Sequence, residues 1–173
     1  QRQIPFGESL RSTRRTVYRL ADPFLQYWYR FVQPNDSLLE LDMVDQVYER
    51  IQDDLPSHVG EVWEQLARRS VPTLAPGGVS WGPAARWWGK DREGLPLEID
   101  VVAESLDRSK LLVGEAEWAE ASDCRRLESE LRAKAHRLPL VAGRELCYAL
   151  WLKRPSGAAS SAVSVFDPPA VLG

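Results

Sequence analysis

Along residues 97–103 the chain alternates: Leu97, Ile99 and Val101 fall on one side of an extended segment and Glu98 and Asp100 on the other. The spacing predicts a strand there and a second over 110–118, joined by the polar turn ESLDRS. On the second strand Leu112, Gly114 and Ala116 oppose Glu115 and Glu117. A register that pairs the two apolar sets brings all four acids to one side of the sheet, at one end. Like charges held together repel, so the fold must tolerate that cost, protonate one acid or supply a cation.

Around this hairpin the pattern predicts the following order. A short strand over 16–20 leads to a helix capped by Asp22 with Pro23 at its first position. Phe24, Tyr27, Trp28 and Phe31 then recur at helical spacing, which core packing explains. Ser37 and Glu40 form a capping-box pattern for a helix whose apolar side is Leu38, Leu41, Val44, Val47, Ile51 and Leu55, ended by Pro56. Another helix over 58–70 packs through Val62, Trp63, Leu66 and Ala67, and Pro72 bars its continuation. The period then changes to two, with strand pieces over 79–81 and 86–88 around Gly82-Pro83. Beyond the hairpin a helix over 120–137 turns Cys124, Leu127, Leu131 and Leu138 inward, and Lys134 lies on or beside that stripe. A strand over 145–152 follows, free to run parallel to the one bearing Glu115 because a helix connects them. The tail opens with linker composition and ends in a short strand over 162–166.

Composition changes this picture little. A chain of 173 residues with 44% hydrophobic content suits one domain, or a domain with an added piece. No run approaches the roughly 20 apolar residues of a membrane helix, and the start lacks the pattern of a signal peptide, so a cytoplasmic chain without membrane contact is expected. The first residue is Gln1, and 1–20 open without a helix or strand start of their own, which reads as part of a longer chain. A net charge of -3 excludes a global positive field for nucleic acid. DNA contact would be local, through Arg11, Arg14 and Arg15 or through Arg125, Arg126, Arg132, Lys134 and Arg137. Cys124 and Cys147 read as two reduced thiols, and His58 and His136 lack metal-ligand spacing. Of the seven tryptophans, Trp81, Trp87 and Trp88 could stack on single strands, although core packing accounts for most.

The αβββαβ order, with Asp100 on one strand and Glu115-x-Glu117 on the next, resembles the PD-(D/E)xK nuclease core, or restriction-endonuclease-like fold. Read together and in order, FGESLRS, RLADPFLQYWYRFVQP, VGEVWEQLAR, EIDVVA and VGEAEW are similar to the C-terminal region of the archaeal-type P-loop ATPase family. That resemblance implies an α/β nuclease-like domain with a mixed central sheet over 36–173, preceded by a winged-helix remnant and linking helix over 1–35. It places the ATP-binding module upstream, and no GxxxxGK[ST] occurs here. It further implies that Asp100 and Glu115 hold Mg²⁺ or Mn²⁺ and that Glu64 on the first helix completes the metal site.

The motif lysine, which would help activate water, is replaced by Glu117. A carboxylate there repels phosphate and cannot stabilise developing negative charge. With lysines only at 90, 110, 134 and 153, Lys134 is the best candidate for a relocated cation. The expectation is a degenerate nuclease-like domain acting as a DNA-binding or regulatory module. An active Mg²⁺-dependent endodeoxyribonuclease, and a structural or oligomerisation domain of the ATPase, are the alternatives. Expected partners are DNA, the upstream ATPase module and further copies of the chain.

Overall fold

The computed structural model describes residues 2–9, 11, 15–141 and 143–173. At the start β1 (Arg2–Gln3) pairs antiparallel with β2 (Val17–Tyr18). Arg14, one of the expected basic residues, lies outside the described residues. Asp22 caps α1 (Pro23–Tyr27) as its position before Pro23 predicts, its carboxylate accepting from the Phe24 and Leu25 N–H groups at 2.8 and 3.2 Å. The helix then widens into a π turn over Trp28–Val32. Widening shifts an i, i+3, i+4 stripe off a single face. Core packing therefore does not account for the aromatic stripe: Phe31 is buried against His58 and Tyr27, while Phe24 and Trp28 stand exposed.

Three helices replace the two expected next. Asp42 takes left-handed backbone (φ 58) and breaks the chain between α2 (Asp36–Glu40) and α3 (Val44–Ile51). Of the apolar side expected there, Val47 is buried, while Leu41 and Val44 are exposed. Pro56, expected to stop a helix, instead sits in the first turn of α4 (Leu55–Leu74), where its missing N–H removes no intrahelical bond. Pro72 also lies inside α4 rather than beyond it. The helix ends two residues later, where Ala75 closes it in left-handed conformation with its N–H on the Val71 carbonyl at 3.0 Å.

The mixed central sheet begins with β3 (Ala85–Lys90), β4 (Pro96–Glu104) and β5 (Lys110–Glu117), antiparallel in that order. Next come β6 (Ser122–Asp123) and α5 (Cys124–Arg137), which starts later than expected because Asp123 caps it, accepting from the Arg125 and Arg126 N–H groups. Then β7 (Glu145–Leu152) lies parallel to β5, β8 (Pro155–Ser156) pairs with β6, and β9 (Val163–Phe166) lies parallel to β7. The spatial order is β3-β4-β5-β7-β9. A short helix, α6 (Pro168–Leu172), closes the chain and packs on α4.

The sheet is covered on both faces. Trp63, Ala67 and Val71 of α4 pack against Val101, Ala103, Leu112, Ala149 and Trp151. Cys124, Leu127, Leu131 and Ala135 of α5 pack against Ile99, Val102, Leu111, Val113 and Leu150 on the other side. A bulge in β4 makes the exchange of faces possible: Ala85 pairs with Val102 but Trp87 with Ile99, so β4 carries one extra residue across this interval. Leu97 and Ile99 therefore face α5 while Val101 faces α4, in place of the single apolar face read from their alternation. The bulge falls at Asp100.

Gly114 sits where β5 meets the buried Trp151. A Cβ there would lie 2.6 Å from the Trp151 ring and 3.0 Å from the Ala149 carbonyl oxygen. The indole is fully buried and its Nε1 donates to Ser70 Oγ at 3.0 Å, so it has little room to retreat. Gly114→Ala should cost about 1–3 kcal/mol by overpacking, seen as a lower urea midpoint. An unchanged midpoint would mean that this core is looser than the contacts require.

Candidate functional site

Main-chain pairing between β4 and β5 runs from Val101↔Gly114 to Glu104↔Leu111 and goes no further toward Asp100. There the Asp100 side chain takes over: its Oδ2 accepts from the Ala116 N–H at 3.1 Å. Asp100 is buried, and where the β4-β5 pairing stops its carboxylate stands in for a ladder carbonyl. Glu115 follows Gly114 and pairs in register with Leu150 of β7, which fixes its backbone in the sheet interior.

Lys134 reaches this corner from α5. It lies three residues past the buried Leu131 and one before the buried Ala135, so the helix face that packs on the sheet carries it inward. Its Nζ donates to Glu115 Oε1 at 2.8 Å. The other oxygen, Glu115 Oε2, is buried with no hydrogen-bond partner among the described residues. Burial raises the Glu115 carboxyl to about 7, the Asp100 charge adds to the rise, and Lys134 only partly offsets them.

From the opposite face α4 contributes Glu64 and Arg68. Arg68 donates to Glu64 Oε2 at 3.4 Å and to the Asp100 carbonyl at 2.8 Å, tying the helix to the bulged strand. Burial and then the Asp100 charge raise the Glu64 carboxyl, which places Glu64 in the same electrostatic neighbourhood. Arg68 was missed by the sequence reading, although its i,i+4 spacing from Glu64 was a usable signal.

The four acids do not form one concentrated cluster. Asp100 and Glu115 face each other, but Glu98 pairs with Arg86, and Glu117 lies 3.6 Å from Arg126. Each of the flanking acids thus has an arginine beside it, although Glu117 shares Arg126 with Glu130 and its Oε2 is buried without a hydrogen-bond partner among the described residues. The hairpin register is the reason for the neighbourhood, and the arginines of β3 and α5 are the reason it is divided. A hollow of about 180 Å³ opens beside Glu115 and Glu117, walled by Arg126, Glu130 and Lys134.

The remaining candidates are placed as follows. Of the expected basic helix, Arg126 pairs with Glu130 as well as Glu117, Arg132 with Glu128, and Arg137 with Asp91, while Arg125 is exposed. Arg15 pairs with Glu8 and donates to the Trp88 carbonyl at 2.9 Å. Trp63, Trp81, Trp87 and Trp151 are buried, Trp88 and Trp118 half-buried and Trp28 exposed. Cys124 and Cys147 are free thiols.

The donor set suits a hard cation of limited demand. Asp100 and Glu115 offer carboxylate oxygens side by side, and the unpartnered Oε2 is an atom that a cation would satisfy. Mg²⁺ is commonly held by one or two carboxylates with water filling the other positions. No cluster of three or more His, Cys, Asp or Glu side chains arranged to hold a metal occurs among the described residues, so a fit exists only for such a two-carboxylate site.

Residues 28–129 match DUF234, described as archaeal and bacterial proteins of unknown function. The chain belongs to that family. The matched stretch of this DUF234 chain contains Glu64, Asp100, Glu115 and Glu117, and Lys134 lies beyond its end. The chain is also 28% identical over 126 residues to the uncharacterized protein MJECL04 of Methanocaldococcus jannaschii, an alignment covering 71% of this chain and 27% of that protein. It thus spans about a quarter of that relative's length. No solved structure matches it. Among the described residues no helix is long and apolar enough to cross a membrane.

The burial of Glu115 has a pH signature. Its carboxyl ionises near 4.5 in the unfolded chain and near 7 in the folded one, so the folded state binds more protons between these values. Stability should therefore fall as pH rises through this window, by on the order of 2–3 kcal/mol in all. Glu115→Gln removes this titration. Urea unfolding at pH 5 and pH 8 should show the variant losing less stability than wild type between the two. Parallel losses in both proteins would contradict the assignment.

Proposed function

We propose that this DUF234 chain carries a PD-(D/E)xK nuclease-like site on a restriction-endonuclease-like core, with Lys134 of α5 serving where Glu117 replaces the motif lysine. The contact between Lys134 Nζ and Glu115 Oε1, at 2.8 Å, carries the reading, because it rebuilds an Asp, Glu and Lys constellation from a different element. The order α4-β3-β4-β5-α5-β7 supports the core assignment. In this reading residues 36–173 form the nuclease-like domain. Residues 1–35, with their two-stranded β1-β2 pair, are the wing and linking helix of a winged-helix remnant. By its resemblance to the archaeal-type P-loop ATPases the domain serves as their DNA-directed effector, with ATP bound upstream.

Asp100 and Glu115 would hold Mg²⁺ or Mn²⁺, with Glu64 nearby to add negative field. Such a cation, when bound, polarises a phosphate oxygen and makes its water acidic. The chain's own groups do the rest. The Ala116 N–H and the Arg68 guanidinium fix Asp100 through its carboxylate and its carbonyl respectively. Glu115, with its carboxyl at about 7, must give up its proton for the cation to be held, so occupancy of the site should rise with pH. Lys134 keeps positive charge next to the position where negative charge would develop. Glu117 opposes this less than its sign suggests, because Arg126 stands beside it.

A second reading, a degenerate module that binds DNA or regulates the ATPase without cutting, is favoured by the carboxylate at the motif lysine position. Cleavage of plasmid and single-stranded DNA in Mg²⁺ and Mn²⁺ separates the two. The active site reading predicts metal-dependent cleavage that falls by about 10²-fold or more in Asp100→Asn and in Lys134→Met. No cleavage by wild type, with a gain in Glu117→Lys, would instead support the degenerate module.

A further inference from the structure

A second hollow, of about 310 Å³, opens where β1, α4 and β3 meet, with Arg68 in its wall. Arg2, Arg68, Arg69 and Arg86 line it together with Gln65 and Trp88, and no Asp or Glu is among the described residues of its wall. Its volume is in the range of small-ligand sites. Four guanidinium groups make this wall locally basic in a chain whose net charge is -3, with Arg68 and Arg86 partly offset by Glu64 and Glu98.

Two of the wall residues also carry unanswered donors. Gln65 Nε2 and Arg86 Nε are buried without a hydrogen-bond partner among the described residues. Arg86 spends a terminal nitrogen on Glu98, which leaves its Nε over. A buried donor left without an acceptor is destabilising. Arg69, next along α4 from Arg68, is exposed and has no ion pair among the described residues. Arg69 is therefore a wall cation left to meet an acceptor, and an anion would supply one.

We propose that this cleft is a phosphate-binding site. The planar fork of a guanidinium matches two phosphate oxygens at once, and hydrogen bonds to an ionised acceptor are the stronger kind. The wall formed by Gln3, Arg86 and Trp88 is shared with a further hollow of about 150 Å³ that holds Arg19 and also Glu98, so a ligand longer than one phosphate would pass the Trp88 face and meet a carboxylate beyond it. Arg68 joins the cleft to the acid site, since the same side chain lines one and donates to the Asp100 carbonyl in the other. A phosphate seated here would lie one arginine away from Asp100. The assignment stands on the cleft alone and does not require the nuclease reading.

The test is calorimetric titration in EDTA with three probes: inorganic phosphate, a mononucleotide and a short single-stranded oligodeoxynucleotide. Excluding divalent cations keeps the outcome independent of Asp100 and Glu115. Binding of at least one probe is expected, weakened about tenfold in Arg69→Ala and in Gln65→Leu. It should be unchanged in Arg108→Ala, an exposed residue in the turn at the far end of the β4-β5 hairpin. Arg69 is exposed, so an unaltered thermal midpoint will show that the variant folds. If the oligonucleotide binds most tightly, and its salt slope drops by about one in Arg69→Ala, the phosphate belongs to a strand backbone. If the mononucleotide or free phosphate binds at least as well, it belongs to a small molecule. Absence of binding for all three at millimolar concentration, or equal binding in the wall variants, overturns the proposal.

Discussion

Two carboxylates buried against each other cannot both remain charged without a cation close by. Asp100 and Glu115 are such a pair, and several features of the fold meet that demand. The β4 bulge turns the Asp100 carboxylate onto the Ala116 N–H. The absence of a side chain at Gly114 lets β5 lie close to Trp151, which holds the next residue, Glu115, in the sheet interior. The register of α5 on the sheet delivers Lys134 to within 2.8 Å of the Glu115 carboxylate. Loss of any of these would leave a buried charge with poorer compensation, so site chemistry and core packing are coupled.

Each helix contributes a cation from its own face. Arg68 comes from α4 and Lys134 from α5, and they meet the acids where the β4-β5 pairing stops, beyond Val101↔Gly114. Neighbouring charges are kept apart by separate pairs, Arg86 with Glu98 and Arg126 with Glu117. Burial and the Asp100 charge raise the Glu115 carboxyl to about 7, so it exchanges its proton near neutral pH in the folded chain. On the α4 side the same economy of pairing leaves donors of Gln65 and Arg86 without acceptors, which marks the neighbouring cleft as chemically incomplete.

Much of the central sheet was legible because period-two alternation and an unbroken apolar run leave few other options. The strands at 96–104, 110–117 and 145–152 lie where the pattern put them, and the third runs parallel to the second. Turns that depend on one residue's backbone were not legible. Asp42 in left-handed conformation splits a helix that the apolar spacing would continue, and prolines at 56 and 72 signal a helix end in sequence whichever end they occupy. A bulge leaves no mark in the alternation either, so Val101 was assigned to the wrong face. In the site, Lys134 could be placed by counting from Leu131. The arginine cleft could not, because residues 2, 68, 69 and 86 meet only after the sheet, α4 and β1 have assembled.

If Asp100 and Glu115 are a working pair rather than buried acids satisfied by Lys134, they should hold a divalent cation. Titration of Mn²⁺ into the chain at pH 7, in two buffers of different ionisation enthalpy, tests this most directly. The account predicts one bound cation per chain with release of protons from Glu115, abolished in Glu115→Gln and retained or strengthened in Lys134→Met, where the competing ammonium is gone. No binding at millimolar Mn²⁺, or the same heat from Glu115→Gln as from wild type, would contradict it.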